Sequence, residues 1–426
     1  MTKKNKTFIA LALVTSLFFI WGFALNLNPI LIKHLKKACQ LSNFQSSLVD
    51  SASYTAYFLL AIPAARFMKR FGYKGGIILG LLLFSLGAIL FYPASIVRSY
   101  PFFLAALFVL FSGAAFLETA ANPYITCLGD PETSTQRINF SQSFNGLAAS
   151  LAPLAGGIFI LSGKDFTKEQ YAKMSPQQLD AYLTGEASAV QIPYLLIGLV
   201  VLVVVYLIYK AHLPEIHEED VEPAGEKKKS LATQIISLLA IRQVRTGVIA
   251  QFFYVGAQAG IWGFFIQLCG KVAGLGEKPA SFYLTIGTFC FMLGRFSGSY
   301  LMKFINPVKL LATYAAINVF LVMLAVVLHG KLPVYALISS SFFMSIMFPT
   351  IFSLSVRGLG SRTKLGSSLV IMAIFGGAVL PPVMGRVFDL TNIQYAYLVP
   401  IVSFLYIFYF AYKNLKVKKV AMVVAH

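Results

Sequence analysis

Acidic residues are scarce in this chain, and the scarcity is patterned. Asp and Glu number 16 among 426 residues, and charged residues of both signs make up only 12%, about half the usual share of a soluble domain. A soluble globular enzyme is excluded on that ground. Four cysteines and five histidines complete the short supply. No Cys/His cluster has metal-ligand spacing, so no metal centre or other cofactor is expected. His34, His212, His217, His329 and His426 all fall in predicted loops or tails, which excludes a histidine proton relay across a membrane. No nucleophile with a base and no nucleotide loop is present, so the chain does not read as an enzyme.

What fills the sequence instead is apolar length: 58% of residues are hydrophobic, in runs longer than the roughly 18 that mark a membrane helix. Bilayer physics leaves helices or closed barrels, and these runs are too long and uniform for barrel strands. The expected fold class is an all-α polytopic membrane protein. Twelve spans are predicted, at 7–32, 45–65, 75–97, 101–126, 138–162, 191–211, 244–270, 281–302, 309–328, 334–356, 366–388 and 396–413. The first run exceeds a signal peptide's apolar core and lacks a clear cleavage site, so it reads as a retained span.

The formal charge of +19 could suggest a nucleic-acid partner, but its distribution argues against one. With the N-terminus inside, inner segments hold 23 of the 35 Lys plus Arg, outer segments 10, and Arg295 and Arg386 lie in or at the ends of spans. This is the positive-inside pattern, with both termini cytoplasmic. The expected partners are the lipid bilayer and a small solute, with the protein working as a monomer. Cys39 and Cys269 both fall near the predicted outer surface, where a disulfide or two free thiols would fit.

A polar stretch, 212–243, divides the spans six and six. It runs acidic, then Pro/Gly-containing, then basic, which suits a surface linker. The predicted domains are therefore 1–211 and 244–426, a bundle of six helices on either side of a cytoplasmic linker. LATQIISLLAIRQVR at its end suits an amphipathic helix on the membrane face. The outer segment 163–190 is polar, with a short helix and Ser175-Pro176 opening its second half. Internal symmetry supports two related halves. SLAPLAGGIF shifted by 229 residues aligns Pro153, Gly156 and Phe159 with Pro382, Gly385 and Phe388. ANPYITCLG shifted by 226 aligns Pro123, Ile125 and Leu128 with Pro349, Ile351 and Leu354. Two parallel six-helix halves make the major-facilitator architecture, with a solute site near the midplane between them. The basic loop ARFMKRFGYK resembles that superfamily's loop motif.

Only two carboxylates fall clearly within spans, Asp50 and Glu118. An ion at a helix centre costs about 2.5–3.5 kcal/mol on insertion scales, so it faces a bundle interior or cavity, as part of a salt bridge or of a functional site. Asn122, four residues on, shares Glu118's face. Gln142 and Asn145 are three apart on span 5, and Asn26 and Asn28 precede Pro29, where span 1 should bend. A carboxylate among amides suits a ligand rich in hydroxyls; singly, such amides equally suit interhelical bonds. Gln251, Tyr254, Gln258 and Trp262 form one helical stripe on span 7, where ring faces beside amides suit a pyranose. For Trp262 alone, packing against core or lipid is the competing reading. Arg295 is a further buried ion, suited to a structural or gating role.

FLETAANPYITCLG, RINFSQSFNGL, AQFFYVGAQAGIW, FPTIFSLSVRGLG and the outer KMSPQQLDAY together resemble the bacterial L-fucose permease group of major-facilitator sugar:proton symporters. The resemblance covers nearly the whole chain. It implies a secondary active transporter of a bacterial inner membrane, importing a monosaccharide with protons by alternating access. By position, Glu118, Gln142, Asn145 and Asn26 resemble that family's polar sugar-cavity residues. Two departures stand out. The family's span 1 pattern N-L-N-D ends here in Pro29, losing a carboxylate linked to proton coupling, and a cavity tyrosine is replaced by Phe348. Asp50, where the family pattern has a neutral amide, is the replacement candidate: it would take up the coupling proton while Glu118 links protonation to sugar binding. Sodium coupling and passive facilitated transport remain open beside proton coupling.

Overall fold

The computed structural model describes residues 3–27, 31, 34–35, 38–41, 43–159, 174–211, 213–214 and 230–415. They are overwhelmingly helical. In chain order the helices are α1 (Lys3–Asn26), α2 (Asn43–Val97), α3 (Tyr100–Cys127), α4 (Ser134–Phe159), α5 (Pro176–Ser188), α6 (Gln191–Lys210), α7 (Leu231–Ala240) and α8 (Arg242–Ala273). They continue as α9 (Glu277–Leu301), α10 (Pro307–Val327), α11 (Leu332–Met344), α12 (Met347–Val356), α13 (Thr363–Met372), α14 (Gly376–Leu390), α15 (Ile393–Ala396) and α16 (Leu398–Leu415).

Every predicted span overlaps helical residues. Spans 2 and 3 share α2, where the chain turns at Gly72 with φ 71° and ψ 175°, a backbone that glycine takes without a Cβ penalty. Spans 10 and 11 are each interrupted. Span 10 breaks at Ser345–Ile346, between α11 and α12, and span 11 passes through a short 3-10 turn, Ala373–Phe375, between α13 and α14. Among the described residues, eight helical stretches are long and apolar enough to cross a membrane, and one of them, Ala52–Val97, holds two predicted spans.

By compactness the chain forms two units, residues 1–129 with 144–218, and residues 130–143 with 219–426. The boundary at 218/219 lies within the predicted linker, while the first ten residues of α4 group with the second unit. Inside the first unit, α2 and α3 pack at backbone distance. A Cβ added at Gly113 would collide with the backbone of Phe84 and Gly80, and one at Gly87 would meet the backbone of Leu110. Small residues at such crossings let membrane helices gain dispersion contact where no hydrophobic drive exists.

Helix ends within each unit are capped by side chains from neighbouring helices. Lys74 Nζ donates to the carbonyls of Tyr209 (2.9 Å) and Ala211 (2.8 Å) at the end of α6. Gln243 Nε2 donates to Arg357 O at 2.9 Å beyond α12, and Gln394 Nε2 to Leu328 O at 2.7 Å after α10. Terminal carbonyls have no partner in their own helix, so these bonds fix neighbouring helices in register. Ser175 opens α5 with a capping box completed by Gln178. The predicted amphipathic segment is helical but divided at Ile241 into α7 and the start of α8, with Leu238 buried and Ile236 67% exposed. The four cysteines are free thiols. His34, predicted in a loop, is instead in a helical turn and fully buried, its Nδ1 3.3 Å from Glu186 Oε2.

Gly113→Val should destabilise the first unit by about 1–3 kcal/mol, the usual cost of overpacking. Gly263→Ala, with open space around its Cβ, should leave stability unchanged or slightly raised. Thermal unfolding of the two variants in detergent checks the contrast.

Candidate functional site

Glu118 sits in the last third of α3 and is 8% exposed. Its apolar flanks set the helix in the bilayer, and its one strong acceptor group then needs donors from the protein. Tyr57 on α2 supplies one: its Oη donates to Glu118 Oε1 at 2.7 Å, in a buried bond across 61 residues of sequence. Phe111, two turns earlier on α3, holds the Tyr57 ring edge-on, with centroids 6.3 Å apart and planes at 68°. Asn122, one turn beyond Glu118, is fully buried.

Asn26 and Asn145 also meet in the first unit, through a glycine. Asn26 Nδ2 donates to Gly22 O at 2.7 Å, one turn back along α1. A Cβ on Gly22 would stand 2.6 Å from Asn145 Nδ2, so α4 approaches α1 closely there. Asn28 lies outside the described residues. Asp50 lies on α2, its side chain outside the described part of the structure.

The second unit holds Arg295 and Gln142. Arg295, 5% exposed on α9, donates from Nη1 to Gln142 O at 2.6 Å and to Gln142 Oε1 at 3.2 Å. Its Nε donates to Ser345 O at 3.1 Å. The bond to Ser345 has a covalent cause. In a continuous helix the Ser345 carbonyl would accept from residue 349, which is Pro349 and has no N–H. Arg295 fills the place that the proline leaves, where span 10 breaks. The guanidinium also lies over Phe291, Cζ 4.6 Å from the ring centroid. Nearer the start of α4, Asn139 Nδ2 donates to Thr350 Oγ1 of α12 at 3.1 Å and Thr135 Oγ1 bonds Ser353 Oγ at 2.8 Å. The start of α4 and α12 are thus laced in antiparallel order.

The predicted stripe on α8 is present but unevenly used. Gln251 and Tyr254 are fully buried, and Gln258 and Trp262 are half-buried. Among the described residues, neither amide atom of Gln251 has a hydrogen-bond partner, which leaves both its donor and its acceptor capacity unused. Tyr254 packs beside Phe348, ring centroids 6.4 Å apart. Trp262 Nε1 donates to Ser341 Oγ at 3.2 Å, and its ring meets Phe291 edge-on at 5.1 Å. Phe291 therefore links the tryptophan to Arg295.

The structure brings Glu118 to Tyr57, Asn26 and Asn145 to Gly22, and Gln142 to Arg295. Gln142 and Asn145, read from spacing as one face, belong to different compact units. Sequence reading missed Tyr57, Phe291, Ser341 and Ser345. Of these only Ser345 carried a signal, four residues before a proline in a span.

Residues 9–382 match the family model described as Major Facilitator Superfamily. The chain is 42% identical over 406 residues to the L-fucose-proton symporter of Escherichia coli (strain K12), covering 95% of this chain and 92% of that one. It is 40% identical over 414 residues to the glucose/galactose transporter of Brucella abortus biovar 1 (strain 9-941), with 96% and 94% covered. A crystal structure of the transporter FucP in the outward conformation has a TM-score of 0.89 at 41% identity, covering 96% of this chain and 99% of that one. The proton:xylose symporter XylE, at 13% identity and a TM-score of 0.69 over 97% and 96% of the chains, shares the fold.

Arg295→Lys keeps the charge but loses the planar fork that serves two carbonyls at once. Losing one such charged bond should cost about 1.5–3 kcal/mol, read as a lower unfolding temperature in detergent. An unchanged temperature would show that the guanidinium bonds contribute nothing to the second unit.

Proposed function

This chain belongs to the Major Facilitator Superfamily, and on that premise we propose that it imports a hexose-class monosaccharide together with protons, as a secondary active transporter working by alternating access. The observation that carries the reading is Glu118: a carboxylate in a bilayer-length helix, buried and bonded to a tyrosine, four residues from a buried amide. The relatives include an L-fucose-proton symporter and glucose/galactose transporters, and the groups at hand suit that ligand class. The first unit offers a carboxylate and amides for directional bonds to hydroxyls, with Asn26, Asn122 and Asn145 as the amide set. The second offers Gln251, with unused amide capacity, beside Tyr254, Gln258 and Trp262, whose rings suit the C–H face of a pyranose. Gln142 is engaged by Arg295, so we assign it to the sugar only as part of that pair, and Arg295 itself to structure or gating.

For coupling, Asp50 takes the proton and Glu118 relates protonation to sugar binding. The support is that Asp50 and Glu118 are the two acids clearly within predicted spans and that the family's span 1 carboxylate is replaced by Pro29. We place the domain division at 1–211 and 244–426 with 212–243 as linker. The lysine and arginine distribution supports both termini being cytoplasmic, and we take the protein to work as a monomer in the inner membrane.

Reconstitution into liposomes tests this. The protein should accumulate labelled sugar above equilibrium under an inward proton gradient, with competition by fucose, glucose, galactose, mannose and an N-acetylated hexose ranking the substrates. Equilibration without accumulation would identify a passive facilitator, and accumulation driven only by sodium would move the coupling to that ion. Asp50→Asn should abolish proton-driven accumulation while sugar counterflow persists; full accumulation in that variant would remove Asp50 from the coupling. Gly22→Ala should push Asn145 aside and raise the KM several-fold at unchanged expression.

A further inference from the structure

We propose that Tyr57 is the positioning residue for Glu118, holding the carboxylate in place in both of its protonation states and tying those states to α2. The inference rests on the reading of Glu118 as the acid that links protonation to sugar binding.

The geometry singles out the phenol. Tyr57 is 4% exposed, reaches from α2 to α3, and ends 2.7 Å from Glu118 Oε1. Its ring is held by Phe111, seven residues before Glu118 and hence close to the same face of α3. One helix thus supplies both the wall that sets the ring and the acceptor that its oxygen meets. Among the described residues, Tyr54 on the same helix is a further titratable group near the Tyr57 hydroxyl.

Tyrosine chemistry explains why this residue type suits the position. An ionised carboxylate only accepts hydrogen bonds, whereas a protonated one carries a donor of its own. A phenol can donate to the first and accept from the second. A carboxyl that gains and loses a proton inside a bundle therefore keeps a partner throughout and is never left as a buried orphan. Phenylalanine would fill the same volume and serve neither state. The proton itself is not passed to Tyr57; the bond between them reverses direction.

The placement also gives protonation a mechanical consequence. Asp50 stands seven residues before Tyr57 in the chain, on the same helix. A change in the Tyr57–Glu118 bond is felt by the helix that carries the other membrane acid.

Tyr57→Phe in liposomes is the test, with Phe111→Leu as a second variant that keeps the hydroxyl but loosens the ring. In Tyr57→Phe the KM for sugar should rise about tenfold. The alkaline limb of proton-driven uptake should move upward by about one pH unit, because a lost donor no longer favours the ionised carboxylate. In a Glu118→Gln background the same substitution should change the KM less than twofold, the pattern of a residue acting through its partner. Phe111→Leu should shift the limb in the same direction by less.

Infrared difference spectra supply a readout independent of sugar. The protonated-carboxyl band that vanishes in Glu118→Gln should move to higher frequency in Tyr57→Phe. An unmoved band with an unchanged pH profile would overturn the proposal. So would an equally large KM effect in the Glu118→Gln background, which marks a packing role. If wild-type protein moves no sugar, the transport reading fails by itself, and the infrared band still decides whether Tyr57 governs Glu118.

Discussion

A polar group inside a bilayer-spanning bundle has no water to fall back on, and nearly every distinctive feature here answers that constraint. Glu118 is met by the Tyr57 hydroxyl. The carbonyl freed by Pro349 is met by Arg295. At the more exposed helix ends, bonds of the same kind recur: the terminal carbonyls of α6, α10 and α12 are met by Lys74, Gln394 and Gln243. Each bond joins elements that are far apart in sequence, so polar satisfaction doubles as the device that fixes which helices are neighbours. Apolar packing between helices in lipid is comparatively indifferent to partner, and these bonds make it selective.

The same constraint explains what could be read from the sequence. Charge inside an apolar run is a loud signal, because its insertion cost demands a reason; Glu118, Asp50 and Arg295 are visible for that reason alone. Helices are equally legible, since the run lengths match a bilayer. Partners are not. Tyr57 is one of 21 tyrosines in a chain where aromatics line most helices, and nothing local distinguishes the one that reaches an acid on another helix. Likewise Phe291 and Ser341 are ordinary residues of apolar spans until Trp262 and Arg295 are set against them.

Spacing proved a weaker guide than chemistry where a helix is shared. Gln142 and Asn145 are three apart, and that spacing put them on one face. Yet the start of α4 is bonded to α9 and α12 through Thr135, Asn139 and Gln142, while Asn145 stands against Gly22 on α1. Periodicity describes a helix's own faces; it does not say which neighbour each turn will meet. The break in span 10 shows the converse. There a proline predicts a missing donor at one position, and the structure supplies Arg295 at that carbonyl, so a covalent fact could have named the partner's address though not its identity.

The distribution of charge over the two units bears on how such a protein can move. Glu118 is bonded to Tyr57, and Arg295 to the Ser345 carbonyl, each pair within one unit and within one of the proposed halves. Bonds internal to a unit persist when that unit moves as a body, so neither ion depends for those bonds on a particular arrangement of the two. Relative motion then need not break them or strand a buried charge, a loss that is among the costliest in a low-dielectric interior. What can change is the state of Glu118 itself. On the role proposed for Glu118, a proton there would alter the contact between α3 and the arm of α2 that precedes the turn at Gly72, and with it the placement of the amides that α3 carries.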